Sequence, residues 1–236
     1  MEIFSTYLYF WGSTASIFVF IIFYLWRKDL RIEMLKSGIA VGIVGIFSEY
    51  IFFQDYWIPP LLFTIGPFGG IEDFLFGFAA GGVGTVLYKS FFYKRLRRKN
   101  NPHYWIIPVV IFSEIFSLFV FHTLLRTNSI FASAIGFLIP VLIICFVRRD
   151  LIIETIYSAI LGGGILILGE GLLLLFVPTY LENYFLLFNK VDLILGIVPI
   201  TELIWGMAFA ALLGSLYEFD YGEILVNSPK YKKRKR

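Results

Sequence analysis

Acidic side chains stand inside strongly apolar stretches of this chain, at Glu49, Glu72, Asp73, Glu114, Glu170 and Glu202. A carboxyl group withdrawn from water and from counter-ions favours its neutral form. It can then donate a proton to a substrate, carry a coupling proton or bind a cation. No Lys or Arg lies in the middle of any apolar stretch, so these acids have no evident counter-ion. With two histidines and one cysteine, Cys145, the chain offers no metal-ligand spacing and no internal disulfide. Cys145 has apolar neighbours and reads as a core residue. No P-loop, nucleophile elbow or dinucleotide fingerprint occurs, and no cofactor or metal is expected.

The acids recur in register. Arg27-Lys28-Asp29-Leu30-Arg31-Ile32-Glu33, with Gly38, Gly42 and Glu49 following, returns 121 positions later as Arg148-Arg149-Asp150-Leu151-Ile152-Ile153-Glu154, with Ala159, Gly163 and Glu170. Gly70-Ile71-Glu72-Asp73-Phe74-Leu75-Phe76-Gly77 is echoed 129 positions later by Pro199-Ile200-Thr201-Glu202-Leu203-Ile204-Trp205-Gly206, and both run on to Leu-Tyr (Leu87-Tyr88, Leu216-Tyr217). A unit used twice is implied, with an insertion in its second loop.

Composition identifies the solvent of these units. Hydrophobic residues are 58% of the chain and charged residues 16%, against about 45–50% and about 25% in soluble proteins. Apolar stretches at about 4–26, 33–53, 72–92, 105–125, 129–147, 152–177 and 194–217 are each of a length to cross a bilayer, which takes roughly 20 helical residues. They lack the alternation of barrel strands. The expected fold is an all-α integral membrane bundle of seven transmembrane helices, two parallel three-helix repeats joined by a linker helix (3+1+3). Repeat one spans about 4–92, the linker about 105–125 and repeat two about 129–217, all in one transmembrane domain, 1–220. Residues 221–236 form a basic tail.

Arg27, Lys28 and Arg31 follow the first stretch, Lys94, Arg95, Arg97, Arg98 and Lys99 the third, and Arg148 and Arg149 the fifth; the tail adds Lys230, Lys232, Lys233, Arg234, Lys235 and Arg236. The opposite loops carry little more than Arg126 and Lys190. This asymmetry puts the N-terminus outside and the C-terminus in the cytoplasm, with the plasma membrane as the expected location. It also accounts for the basic tail without nucleic acid. Met1-Glu2 has no basic leader, so the first stretch reads as a retained span.

On the third stretch Asp73, Gly77, Gly81, Gly84 and Tyr88 share one helical face, and Glu202, Gly206, Ala210, Gly214 and Tyr217 do so on the seventh. Small residues at that spacing pack helices closely, but they leave the acid heading each stripe unexplained. A rise of about 1.5 Å per residue separates Glu49 from Glu33, and Glu170 from Glu154, by roughly 24 Å. Glu49, Glu72, Asp73, Glu170 and Glu202 therefore gather at the outer level. Glu114 lies deeper, with His122 two turns on along the same side. Glu33, Glu154 and Glu182 read as interfacial or structural carboxylates. The loop Gln54–Phe63, rich in aromatic and aliphatic residues, reads first as an interfacial belt and second as a hydrophobic lid.

Glu49-Tyr50, then Trp57 and Pro59, then a Gly-rich approach to Ile71-Glu72-Asp73-Phe74-Leu75-Phe76, resembles the membrane lycopene cyclase domain family of carotenoid biosynthesis. That family's signature is Pro-x-Glu-(Glu/Asp) at a helix start, after an acid and a Trp. The likeness covers about 25–92 and 146–218; Gly70 replaces the motif's Pro in the first copy, and Thr201 its first acid in the second. The resemblance implies an isomerase-type intramolecular lyase: a lycopene β-cyclase that closes the end group of a linear carotenoid or related isoprenoid without net redox change. A carboxyl would protonate the terminal double bond, the carbocation would cyclise, and a carboxylate would remove a proton. Glu72 and Asp73 are then the preferred acid and base, with Glu49 and Glu202 as supporting carboxylates. Trp57, Phe76 and Trp205, beside Glu170, would line the substrate and face the cation.

The alternative is a proton-coupled small-solute transporter built on the same repeats. The partners expected are a lipid-soluble isoprenoid and the bilayer, with a homo-oligomer left open.

Overall fold

The computed structural model describes residues 7–98 and 100–227. The chain is mostly helical. Its helices are α1 (Leu8–Trp26), α2 (Arg31–Asp55), α3 (Ile71–Gly84), α4 (Leu87–Phe91), α5 (Ile106–Ser117, prolonged by a π-helical segment Leu118–Leu124), α6 (Ser129–Val147), α7 (Ile152–Phe176, entered through a 3-10 turn Arg149–Leu151), α8 (Tyr180–Tyr184) and α9 (Ile200–Tyr221). Six helical segments, Leu8–Trp26, Arg31–Asp55, Ile106–Leu124, Ser129–Val147, Arg149–Phe176 and Ile200–Tyr221, are long and apolar enough to cross a membrane. Their outward faces are apolar too: Phe146 is 80% exposed and Leu175 79%. Helices apolar on all sides belong in hydrocarbon, which removes any reason to hide one face.

The stretch at 72–92 is not one continuous helix. It breaks at Thr85-Val86 into α3 and α4, where Gly81, Gly82 and Gly84 weaken helical propensity. The Thr85 hydroxyl also bonds outside its own helix, 3.1 Å from the Leu213 carbonyl and 3.2 Å from Glu33. The seventh helix starts at Ile200 rather than 194. Before it, β2 (Leu193–Ile194) pairs with β3 (Val198–Pro199) around Leu195 and Gly196, both at positive φ. Part of the expected tail is ordered as well: β4 (Glu223–Asn227) pairs antiparallel with β1 (Lys94–Arg98). The remaining tail residues 228–236, together with 1–6 and Lys99, lie outside the described residues.

Packing repeats with the sequence. α3 packs against α2 and α1, while α9 packs against α7 and α6; α5 lies on α6. Small residues set the closeness of the first trio. A Cβ added to Gly77 would lie 2.9 Å from the Val41 carbonyl oxygen and 3.1 Å from the Gly42 Cα, distances that only glycine permits without displacement.

The basic ends of the repeats are fastened by the same device. Arg27 grips Asp29 through two hydrogen bonds and donates to the Lys89 and Lys94 carbonyls. Arg148 grips Asp150 and donates to the Glu218 and Glu223 carbonyls. Every partner in the second set is the repeat equivalent of one in the first. These clamps and the β1–β4 ribbon gather the basic loops at one end of the bundle.

Candidate functional site

The opposite end collects the repeated acids. Ile71 begins α3, which makes Asp73 the third helical residue; its Oδ2 accepts the Gly70 N–H at 2.6 Å, the carboxyl half of an N-terminal cap. Its Oδ1 accepts the Tyr9 hydroxyl at 2.6 Å. Glu49 arrives from α2, and its Oε2 accepts the Trp57 indole N–H at 2.9 Å. Asp73 and Glu49 converge over Gly69, where a Cβ would sit 2.8 Å from Asp73 Cγ and 2.9 Å from Glu49 Cγ. Glu72, one residue round the helix, turns to the loop instead. Its Oε1 accepts the Leu62 N–H at 2.7 Å, and its buried Oε2 has no partner. The adjacent acids Glu72 and Asp73 thus answer to different neighbours.

In the second copy Glu202 holds the place of Asp73, but the residue before its helix is Pro199. Proline has no N–H to offer, so Glu202 is not drawn into a cap. It lies beside the Tyr56 hydroxyl, which reaches over from the first copy, and its Oε2 is buried without a partner. Glu170, on α7 at the place of Glu49, likewise has an unpartnered buried Oε2. Each acid of this pair is more than nine-tenths buried. Among the described residues no Lys or Arg pairs with Glu49, Asp73, Glu170 or Glu202.

Aromatic rings wall both pairs. Tyr9 meets Trp57 edge-on at 4.7 Å between centroids, Phe185 lies 5.4 Å from Tyr56 and 6.0 Å from Trp57, and Tyr180 lies 5.4 Å from Phe185. Trp205 is 6.5 Å from Phe52, stacks on Phe209 at 5.2 Å, and donates its indole N–H to Ser133 at 3.1 Å. Glu114 lies beside Ser133, its Oε2 buried without a partner against Gly136. Backbone bonds stitch the loops of the two copies over the cluster: Ile58 N–H to the Tyr184 carbonyl, 2.8 Å, and Leu186 N–H to the Tyr56 carbonyl, 2.9 Å.

Two expected members stand elsewhere. Phe76 faces outward, 38% exposed. His122 does not follow Glu114, because the π-helical segment changes the residues per turn. It lies 3.3 Å from Asp55 and 3.1 Å from the Thr127 carbonyl instead.

The basic end holds charged residues for which the apolar stretches gave no counter-ion. Lys89, fully buried, bonds Glu33 and Glu218 and lies 3.7 Å from Glu154. Glu33 and Glu154 are therefore buried beside an ammonium rather than snorkelling. The signal lay in the repeat, since Leu87-Tyr88-Lys89 aligns with Leu216-Tyr217-Glu218. Tyr9, Tyr56 and Tyr180 had no such signal, because their roles come from loops and helix ends brought together. Among the described residues no group of three or more His, Cys, Asp or Glu side chains is arranged to hold a metal ion.

No family model, no curated protein and no solved structure matches the chain.

Proposed function

We propose that this protein performs acid–base chemistry on a lipid-soluble isoprenoid, in the manner of the lycopene cyclases that its sequence resembles. The observation that carries the reading is the acid pair Glu170 and Glu202: buried, without a cation, each with a free carboxyl oxygen, and walled by Tyr56, Tyr180 and Trp205. A protonated carboxyl of this pair delivers its proton to a terminal double bond of a linear carotenoid or related end group. The resulting carbocation closes to a ring, and the paired carboxylate takes a proton from the adjacent carbon. Protons balance and no redox partner is needed. Ring faces lower the energy of the cation, and exclusion of water protects it from capture. Glu49 and Asp73, tied to Trp57, Tyr9 and the helix cap, hold the first copy's side of the chamber, and Glu72 anchors the loop above it.

In this reading α3 and α4 together make a seventh crossing, the two repeats run parallel on either side of the linker α5, and the basic ends face the cytoplasm with the N-terminus outside. The test is expression in a bacterial host that accumulates lycopene. Conversion to a cyclised carotene, lost in Glu202→Gln and Glu170→Gln at equal membrane abundance, supports it. Unchanged lycopene with verified expression removes that substrate.

A second reading, proton-coupled transport of a small solute, is favoured by one observation: each end of the bundle holds buried acids from both repeats. Proton-dependent uptake by vesicles, without conversion of isoprenoids, would select it.

A further inference from the structure

The buried cluster at the basic end takes no part in the chemistry above. Its members are paired by the repeat, Glu33 with Glu154 and Lys89 with Glu218, and they meet where the two copies join. The Lys89 ammonium has three donors. Glu33 and Glu218 accept from it directly, whereas the nearer oxygen of Glu154 is 3.7 Å away, beyond hydrogen-bond reach. Neither oxygen of Glu154 has a hydrogen-bond partner, although the residue is only 1% exposed. One turn further along α7, the fully buried Ser158 hydroxyl is also unpartnered, and it lies against Gly214, one turn before Glu218.

One ammonium faces three carboxyl groups, so full ionisation would leave two negative charges uncompensated in a dry interior, which is strongly disfavoured. The nearby guanidiniums are committed: Arg27 holds Asp29 and Arg148 holds Asp150, and both give further N–H groups to backbone carbonyls. The groups facing Glu154 are Lys89 and Tyr88 from α4, Glu33 from α2 and Glu218 from α9, with Cys145 of α6 behind Thr155. Among them only Lys89 is cationic. Its ammonium already fills the position between the carboxyls that a metal ion would take.

We propose that this cluster is a proton-binding site, in which Glu154 carries an exchangeable proton, lowering the uncompensated charge from two to one, while Lys89 bonds the carboxyl groups of Glu33 and Glu218. The proton forms the O–H bond of a neutral carboxylic acid, and the Ser158 hydroxyl is the nearest uncommitted polar group on the same helix to receive it. The assignment is independent of the reaction at the other end.

The full-length protein in lipid nanodiscs at neutral pH provides the test. Infrared spectra of the wild type contain a protonated-carboxyl carbonyl band that shifts in heavy water, and Glu154→Gln removes that intensity. The same variant replaces a neutral acid with a neutral amide of equal shape, so its melting temperature matches or exceeds that of the wild type. Glu218→Gln, which strips a carboxylate from Lys89, melts well below it. The proposal is overturned if Glu154→Gln leaves the band unchanged, or if it destabilises or fails to fold as Glu218→Gln does. Loss of the wild-type band on exchanging choline for sodium would also overturn it, assigning the site to a metal cation.

Discussion

Lys89 and Glu218 occupy equivalent positions in the two repeats, and their side chains bond to each other. A duplicated unit with identical residues there would set two ammonium groups, or two further carboxylates, against Glu33 and Glu154. Opposite charges at one repeat position let the ends of α4 and α9 approach and make the association of the copies directional.

Removing the ammonium leaves only carboxyl groups in a dry interior. Lys89→Met is expected to cost about 3–5 kcal/mol, the usual penalty for stripping one partner from a buried ion pair. Lys89→Glu is worse, and the swap Lys89→Glu with Glu218→Lys recovers much of the loss because one ammonium again serves three carboxyls. Unfolding in mixed micelles measures all three, and a double variant no more stable than Lys89→Glu would refute the equivalence.

At the acid chamber, Trp57→Phe keeps an aromatic ring but removes the donor to Glu49. A buried acceptor left unsatisfied costs about 1–3 kcal/mol, so the variant should be destabilised within that range. In a Glu49→Leu background most of the effect should vanish, which a double-mutant cycle detects.

Where α2 and α3 touch, Gly77→Leu has no room. Inserting a side chain into a packed interface costs about 1–3 kcal/mol or more, and separation of the helices would also displace Asp73 from Gly69. Lower thermal stability, together with altered Trp57 fluorescence, is the expected outcome.

Pro199 and Gly70 explain the different states of Glu202 and Asp73. Pro199→Ala supplies an N–H, allowing Glu202 to cap α9 as Asp73 caps α3 and to turn away from Tyr56. If Glu202 is the reactive acid, turnover of an isoprenoid substrate falls in Pro199→Ala while the protein melts no lower. Glu202→Gln loses about 100-fold or more, the usual contribution of a positioned acid or base. Equal turnover in wild type and both variants would exclude Glu202 from the chemistry.

Asp29 lies outside the spanning helices. Burial alone would raise its carboxyl, but hydrogen bonds and charge from Arg27 outweigh this and hold it below the ordinary carboxylate value. A depressed folded-state value means that its stabilisation is present above the unfolded value, about 3.9, and is lost as pH falls through the folded one. The wild type should therefore lose stability relative to Asp29→Asn only as the pH drops below about 4. Melting curves of the pair across that window test this, with parallel curves as the contrary result.

The sequence by itself determined the solvent, the repeat and the level of each acid. Long apolar runs leave a chain no option but helices in hydrocarbon, and a fixed shift puts Glu49 with Glu170 and Asp73 with Glu202 whatever the packing. α6 coincides with the apolar stretch at about 129–147, and in the structure the Asn128 side chain fixes its start by accepting the Ile130 N–H. The break at Thr85-Val86 and the late start of α9 were not legible, since they depend on a hydroxyl finding Leu213 and on a turn between two very short strands. Only the tertiary structure decided which acids have partners. Asp73 and Glu202 read alike as helix-start carboxylates, yet a backbone N–H and the Tyr9 hydroxyl satisfy the first, while Pro199 denies the second its cap and leaves its Oε2 free. Folding carries Lys89 into contact with three glutamates from distant segments. Period and hydropathy are local properties that a sequence records, whereas the pairing of a buried charge depends on which segments meet, and only the folded chain fixes that.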